Sequence, residues 1–303
     1  MPPLAAFLEG WRRVLRAPAL LVGTWAIWMA LAGLLSVAVS PIPALQTLDV
    51  VPDAGPLDRW ALLVRQELPR VAALFAPELA IVLQPSAWPP AWTAAVGLQA
   101  LLAIFLSGGI LDRYARGRPI GAAAFFAACG VYFFRFLRLL AMVAALAYLL
   151  WLVAAALPDG LATRTVVIAA VVALALIVDF AKARTVVEDR RSMLGALTAA
   201  ARFARRRGWR VVVLALLNGL ALLIVLRLQF QMGLSPSVAW ISVGLEAALL
   251  LLAVSTRLAF MASEVVFFQG ELAHAGYTAA PLPVWPDSPA VEAMENLRRF
   301  HEP

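Results

Sequence analysis

Six long runs of apolar residues constrain this chain more than any other feature. They cover residues 19–39, 92–111, 139–157, 166–180, 211–226 and 238–261. A helix that crosses the hydrocarbon core of a bilayer needs about 20 mainly apolar residues. Of the 303 residues, 63% are hydrophobic, against roughly 45–50% in an ordinary soluble domain. The sequence therefore predicts an all-α integral membrane protein with six transmembrane helices.

The basic residues predict how these spans are oriented. Lys182 is the only lysine, so arginine carries nearly all of the positive charge. If the N-terminus is cytoplasmic, 20 of the 25 basic residues fall on the cytoplasmic side. The five expected outside are Arg59, Arg65, Arg70, Arg164 and Arg227. Because cytoplasmic flanks of membrane spans are enriched in Lys and Arg, we expect both termini in the cytoplasm, with the charge marking topology and not nucleic-acid binding.

The composition and the prolines suggest the cellular setting and the domain plan. Rich use of Arg, Ala and Pro indicates a GC-rich bacterial genome, hence the bacterial cytoplasmic membrane. Residues 41–91 contain nine prolines, which exclude long helices, so this external segment is predicted to form a small cap on the outer leaflet. Residues 1–278 are predicted as a single transmembrane domain, and residues 279–303 as a cytoplasmic tail.

An internal repeat is predicted from three amphipathic segments, residues 4–16, 125–138 and 191–206, each before an outward-going span. At 100° per residue, the apolar side chains of each segment close into one face opposite arginines, as in helices that lie in the membrane interface. The segments that begin at Asp112 and Asp179 are also alike, since each acid is followed by an aromatic residue, an alanine and bases. We expect three units of span, interfacial helix and span, related by a pseudo-threefold axis.

Four stretches carry a family resemblance. They are Gly10–Pro18, Ser107–Ala115, Phe125–Phe136 and Val186–Ala196. Through them the chain resembles a family of uncharacterised bacterial multi-pass membrane proteins. It is more distantly similar to the membrane domain attached to some glycerophosphodiester phosphodiesterases, although these residues include no phosphodiesterase domain. The resemblance supports the six-span topology and implies no activity.

Three polar residues within the spans are candidates for function. Glu246 is expected near the middle of the sixth span, with Asn218 in the fifth span and Gln99 in the second at similar depth. Ionisable groups inside a bilayer are costly and often functional, so the cluster could bind a proton or cation in a transport path. The favoured alternative is a buried polar clamp, with a hydrogen bond between Asn218 and Glu246, that fixes helix packing.

Charged residues at the cytoplasmic boundary have mainly structural interpretations. Asp179 and Arg257 are predicted to pair across the fourth and sixth spans and to set helix register. Asp112 with Arg116, and the acids at 188–189 with the following arginines, are predicted to form caps and local ion pairs. The Gly108–Gly109 pair is expected to end the second span, the alternative being a close approach of two helices.

An arginine cluster with Trp209 lies between the fourth and fifth spans. Its members are Arg202, Arg205, Arg206, Arg207 and Arg210. Basic side chains next to a membrane-parallel helix attract anionic head groups. The equally weighted alternative is the ordinary enrichment of positive charge at cytoplasmic flanks.

The sequence contains no pattern that predicts catalysis or a cofactor. Cys129 is the only cysteine, and His274 and His301 are the only histidines, so no Cys/His zinc site is expected. Signatures of serine hydrolases, zinc proteases and phosphate-binding loops are absent. We therefore predict a non-enzymatic scaffold or envelope factor without a cofactor, whose partners are anionic lipids and other membrane proteins. A solute or lipid transporter is the main alternative, and a lipid-modifying enzyme is the least favoured.

Overall fold

The computed structural model describes residues 1–39, 90–158, 160–233 and 239–273. All regular secondary structure in these ranges is helical. The helices are α1 (Pro3–Leu15), α2 (Pro18–Val39), α3 (Pro90–Arg116), α4 (Ala122–Ala156), α5 (Leu161–Val187), α6 (Met193–Arg206), α7 (Gly208–Gly233) and α8 (Ala239–Ala273).

Five of these helices have the length and apolar composition of membrane spans. They are α3, α4, α5, α7 and α8, and α1 with α2 forms a sixth candidate with a bend of 79° between its two halves. The prediction of an α-helical multi-pass membrane architecture is confirmed. Each predicted span falls within one helix, except that residue 157 follows the end of α4 and residue 238 lies outside the described residues. Most of the helices continue beyond the apolar run.

The second predicted interfacial helix is not a separate element. Residues 125–138 and the third predicted span are continuous in α4, whose 35 residues extend for about 52 Å. No glycine or proline lies near Arg138 to interrupt the helix. The first predicted interfacial helix does end separately, because Pro18 follows it and proline cannot continue a preceding helix.

The short helices α1 and α6 each bury one face against the bundle. In α1 that face consists of Ala6, Gly10 and Val14 at four-residue spacing, which places them on one side of a helix. The third predicted amphipathic segment corresponds to α6. Its N-cap is Ser192, whose Oγ accepts a hydrogen bond from the backbone N–H of Gly195 at 3.2 Å. The N-cap therefore fixes where α6 begins.

The helices α3 and α8 are the most buried of the candidate spans. One core cluster joins α2 and α3 to the middle of α8. A second joins α1, α5 and α6 to the later part of α8. In that second cluster the ring centroids of Phe180, Phe203 and Phe267 lie 5.4–6.2 Å apart. The central position of α8 decides which polar side chains meet inside the bundle.

The prediction that the glycine pair ends the second span is wrong. Gly108 and Gly109 both lie inside α3, where they allow a close approach to α4. A Cβ added at Gly108 would lie 2.9 Å from Cβ of Tyr132, and one at Gly109 would lie 2.6 Å from Sγ of Cys129. The pair therefore serves helix packing, which was the alternative interpretation.

Several predicted segments lie outside the described residues. They include residues 41–89 of the external segment, the tail 279–303 and the domain boundary after residue 278. The chain divides by contacts into residues 1–268 and residues 269–303. Of the second unit the structure describes residues 269–273, which form the end of α8.

Candidate functional site

A buried ion pair joins α5 to α8 inside the bundle. Arg257 donates from Nη1 to Oδ2 of Asp179 at 3.2 Å and from Nη2 to Oδ1 at 3.3 Å. Both side chains are buried. The two parallel bonds match the planar guanidinium to the carboxylate, the geometry that makes arginine the favoured partner in buried pairs. The pair predicted between these residues thus forms in the structure.

The only lysine of the chain belongs to the same cluster. Lys182, with 1% of its surface exposed, donates from Nζ to Oδ1 of Asp179 at 3.1 Å. It lies three residues after Asp179, on the same face of α5. Asp179 therefore accepts hydrogen bonds from two cations, and these three groups together carry one net positive charge.

Glu264 is the fourth charged member of this buried cluster. It follows Arg257 by two helical turns on α8 and is 2% exposed. Its carboxyl group interacts electrostatically with Asp179, Arg257 and Lys182. Within the described part of the chain, its Oε1 atom has no hydrogen-bond partner. We call Asp179, Lys182, Arg257 and Glu264 the buried charge cluster.

A tight junction of α1, α7 and α8 adjoins the cluster. Asn218 donates from Nδ2 to Oγ of Ser263 at 3.0 Å, and that hydroxyl donates to the carbonyl of Phe260 at 2.8 Å. A Cβ added at Gly10 would lie 2.8 Å from the backbone nitrogen of Ser263. Only a residue without a side chain permits α1 to approach α8 this closely.

Asn218 does not lie at the depth that the sequence predicted. Its partner Ser263 follows Glu246 by 17 positions on α8, which is about 25 Å along the helix axis. The prediction counted depth from the outer ends of two helices joined by a short loop. Asn218 lies 15 residues from the end of α7, whereas Ser263 lies 24 residues from the start of α8. The two helices are therefore offset along their axes.

The rest of the predicted mid-membrane cluster is not assembled at Asn218. The side chain of Glu246 lies outside the described residues, and Gln99 is a partly exposed residue of α3. The predicted role of Glu246 stays a prediction.

A small cavity borders the buried charge cluster at Arg257. It has a volume of about 20 Å³ and lies between α2, α3 and α8. Its polar lining includes the hydroxyls of Thr24 and Ser107, which donate to carbonyls of their own helices. Both hydroxyls can therefore accept a further hydrogen bond. The cavity has room for about one water molecule and is too small for an organic substrate.

A basic surface covers the outer face of α6 and the start of α7. Arg202, Arg205, Arg206 and Arg207 are exposed, and Arg210 is half-buried. The side chain of Trp209 is 77% exposed. The opposite face of α6 is buried in the bundle, so Arg202, Arg205 and Arg206 point away from it. We call these five arginines and Trp209 the basic surface.

Some of the local ion pairs predicted for the cytoplasmic boundary form in the described part of the chain, whereas Asp189 accepts a hydrogen bond from Arg135 of α4 and not from the arginines that follow it. Arg116 donates to Asp112 within α3 at 2.8 Å. Glu188 accepts from Arg184 at 2.9 Å and from Arg190 at 2.8 Å. These contacts stabilise helix ends and loops and leave the buried charge cluster as the principal internal feature.

Comparison with known proteins does not identify the function of this site. No family model, curated protein or solved structure matches the chain. Within the ranges that the structure describes, no group of three or more His, Cys, Asp or Glu side chains could hold a metal ion. The cluster instead pairs acids with bases, an arrangement that can fix helices and hold or exchange a proton.

Two members of the cluster were not predicted as site residues. Lys182 was interpreted as a topology signal, although its spacing from Asp179 and its uniqueness in an arginine-rich chain both distinguish it. The sequence analysis does not single out Glu264, although it shares a helix face with Arg257. Both residues lie inside the bundle, because α5 and α8 continue beyond the predicted ends of their spans.

Proposed function

We propose that this chain is a non-enzymatic scaffold of the bacterial cytoplasmic membrane that associates with anionic lipids on the cytoplasmic side. In this proposal it has six spans, with both termini in the cytoplasm, and acts through lipids and membrane-protein partners. The basic surface carries the proposal. Its arginines project from a helix whose other face is fixed to the bundle, next to the first turn of a span.

The composition of the basic surface fits the lipid head-group region. Arginines near an anionic membrane surface each contribute about 1 kcal/mol of attraction. Trp209 lies beside them, and tryptophan is enriched at the boundary between hydrocarbon and water. Leu194 at the other end of α6 is also exposed, so the helix presents both apolar and basic groups outward, as interfacial helices do.

The two other predicted interfacial segments have similar exposed faces. In α1, Leu4, Leu8 and Leu15 are exposed and lie within about 40° of one another around the helix. In the first half of α4, Phe126 and Phe134 are exposed. Apolar side chains that project away from the protein at these positions support contact with lipid.

The buried charge cluster supports a structural role more than transport or catalysis. Its acids and bases are buried together, and the adjoining cavity has room for about one water molecule. Removing one member of a buried ion pair typically costs about 3–5 kcal/mol, so such a cluster holds its helices in one register. A solute or lipid transporter that uses Glu246 is the alternative function.

The lipid proposal is tested by native mass spectrometry of the purified full-length protein with added phosphatidylglycerol or phosphatidylcholine. The test variant replaces Arg202, Arg205 and Arg206 by glutamine. Three arginines at about 1 kcal/mol each predict a loss of roughly 100-fold in affinity for phosphatidylglycerol. Binding of phosphatidylcholine should not change, because its head group has no net charge.

A matched control distinguishes the effect of the basic surface on lipid binding from the effect of net charge. The control replaces Arg12, Arg118 and Arg138 by glutamine, which are exposed residues of three different segments and give the same change in charge. An equal loss of phosphatidylglycerol in both triple variants would refute a specific lipid surface. Solute uptake into proteoliposomes that Glu246→Gln abolishes would instead establish the transport alternative.

A further inference from the structure

The buried carboxyl group of Glu264 is not fully hydrogen-bonded by its charged neighbours. It is 2% exposed, and its Oε1 has no hydrogen-bond partner among the described residues. The hydrogen bonds from Arg257 and Lys182 that surround Asp179 go to its two carboxylate oxygens. A buried carboxylate oxygen without a partner is far more costly than the same oxygen in a neutral carboxylic acid.

The charge balance of the cluster allows Glu264 to exist in two forms. The charged groups that act on it are Asp179 and Lys182 from α5 and Arg257 from its own helix. With Glu264 ionised, the charges of the four groups sum to zero, and the cost is a buried carboxylate oxygen without a hydrogen-bond partner. With Glu264 neutral, the cluster keeps one positive charge, and the cost of the oxygen without a partner is reduced. Two opposing penalties of this kind make the carboxyl responsive to its surroundings.

The ligand that fits this position is a proton. A sodium or other alkali ion would need several oxygen ligands, and it would stand near Lys182 and Arg257, which repel it. A proton needs no coordination shell and converts the carboxylate to a hydroxyl donor in place. The small cavity has room for about one water molecule and borders the cluster at Arg257 and not at Glu264.

We propose that Glu264 is a proton-exchange site, whose Oε1 takes up and releases one proton inside the buried charge cluster. Uptake forms one O–H bond and changes the net charge of the cluster from zero to +1, and release reverses both changes. The proposal is independent of lipid binding by the basic surface, since the two sites share no residue.

Infrared spectroscopy of the full-length protein in lipid nanodiscs tests this, because protonated and ionised carboxyl groups absorb at different frequencies. Spectra recorded over a wide pH range should contain a protonated-carboxyl band from Glu264, and its intensity should fall as the pH rises. The band should be absent from Glu264→Gln. It should persist in Glu9→Gln, which removes an acid of α1 outside the cluster.

A second variant keeps the test valid if Glu264→Gln does not fold. In protein labelled with ¹³C at the glutamate carboxyl carbon, the wild-type band should move to lower frequency. The band of labelled Glu264→Asp should not, because its carboxyl is then unlabelled aspartate. Identical spectra for the wild type and the glutamine variant at every pH would overturn the proposal. Carboxyl bands that respond to sodium concentration and not to pH would overturn it in favour of an alkali-ion site.

Discussion

At the scale of single residues, the ion network around Asp179 shows why lysine and arginine are not interchangeable inside a bundle. Arg257 uses its planar fork to contact both carboxylate oxygens from another helix. Lys182 contacts one of these oxygens from the following turn of the helix that carries Asp179. A compact ammonium group suits that short local contact, and a rigid guanidinium suits the contact between helices.

A double-mutant cycle on Asp179→Asn and Arg257→Gln tests the energetic importance of this network. Each single variant should lower the free energy of unfolding by about 3–5 kcal/mol, because it leaves a buried charge without its partner. The double variant should cost less than the sum, since Asp179 and Arg257 are then removed together and neither is left without the other. Unfolding of the purified protein in mixed micelles gives all three values.

The surface pair of Glu9 and Arg12 provides the control cycle. Their closest oxygen and nitrogen atoms lie 4.0 Å apart, and the arginine side chain is 65% exposed. Exposed pairs contribute about 0–1 kcal/mol, so Glu9→Gln and Arg12→Gln should change stability little. Strictly additive losses at Asp179 and Arg257 would show that the buried pair is not energetically coupled.

At the scale of helices, close contacts between backbones decide how α1, α3, α4 and α8 pack. The glycine pair of α3 accommodates α4, and Gly10 of α1 accommodates α8 at Ser263. The two contacts differ in what a new side chain would meet. At Gly109 the nearest atoms belong to side chains that can move, whereas at Gly10 they include backbone atoms of α8. The contact at Gly10 is therefore the less tolerant one.

Gly10→Ala should lower the free energy of unfolding by about 1–3 kcal/mol, as overpacking of a well-packed interior does. Thermal unfolding in detergent measures the change. The control is Gly130→Ala in α4, where an added Cβ meets nothing within 4 Å. That variant should retain or slightly gain stability, because alanine favours helices over glycine. Equal stability of both variants would show that α1 can shift away from α8 without cost.

At the scale of the whole molecule, the packing of α5 against α8 brings charged residues from both helices to the bundle interior. Arg257 and Lys182 were counted among the cytoplasmic basic residues, yet both are buried in the bundle. Without these two, 18 of the 25 basic residues still fall on the proposed cytoplasmic side. The predicted orientation therefore does not depend on them.

The proposed topology is tested by labelling single cysteines in intact cells, in a Cys129→Ala background. Arg118→Cys lies between α3 and α4 and should react with a membrane-impermeant maleimide only after the cells are permeabilised. Gly160→Cys lies between α4 and α5 and should react in intact spheroplasts. The reverse pattern would show that the termini are outside, and labelling of both in intact spheroplasts would contradict the crossing by α4.

The sequence by itself determined the class of fold and the approximate positions of most helices. Those features are local, because a span depends on the length of its apolar run and a helix start depends on nearby caps such as Ser192. The sequence also indicated the Asp179–Arg257 pair, since opposite charges near one boundary favour pairing. Only the tertiary structure decided that Lys182 and Glu264 join this pair and that Asn218 contacts Ser263 far from the level of Glu246. These contacts depend on how far each helix slides along its neighbours, and that offset results from side-chain packing across the whole bundle.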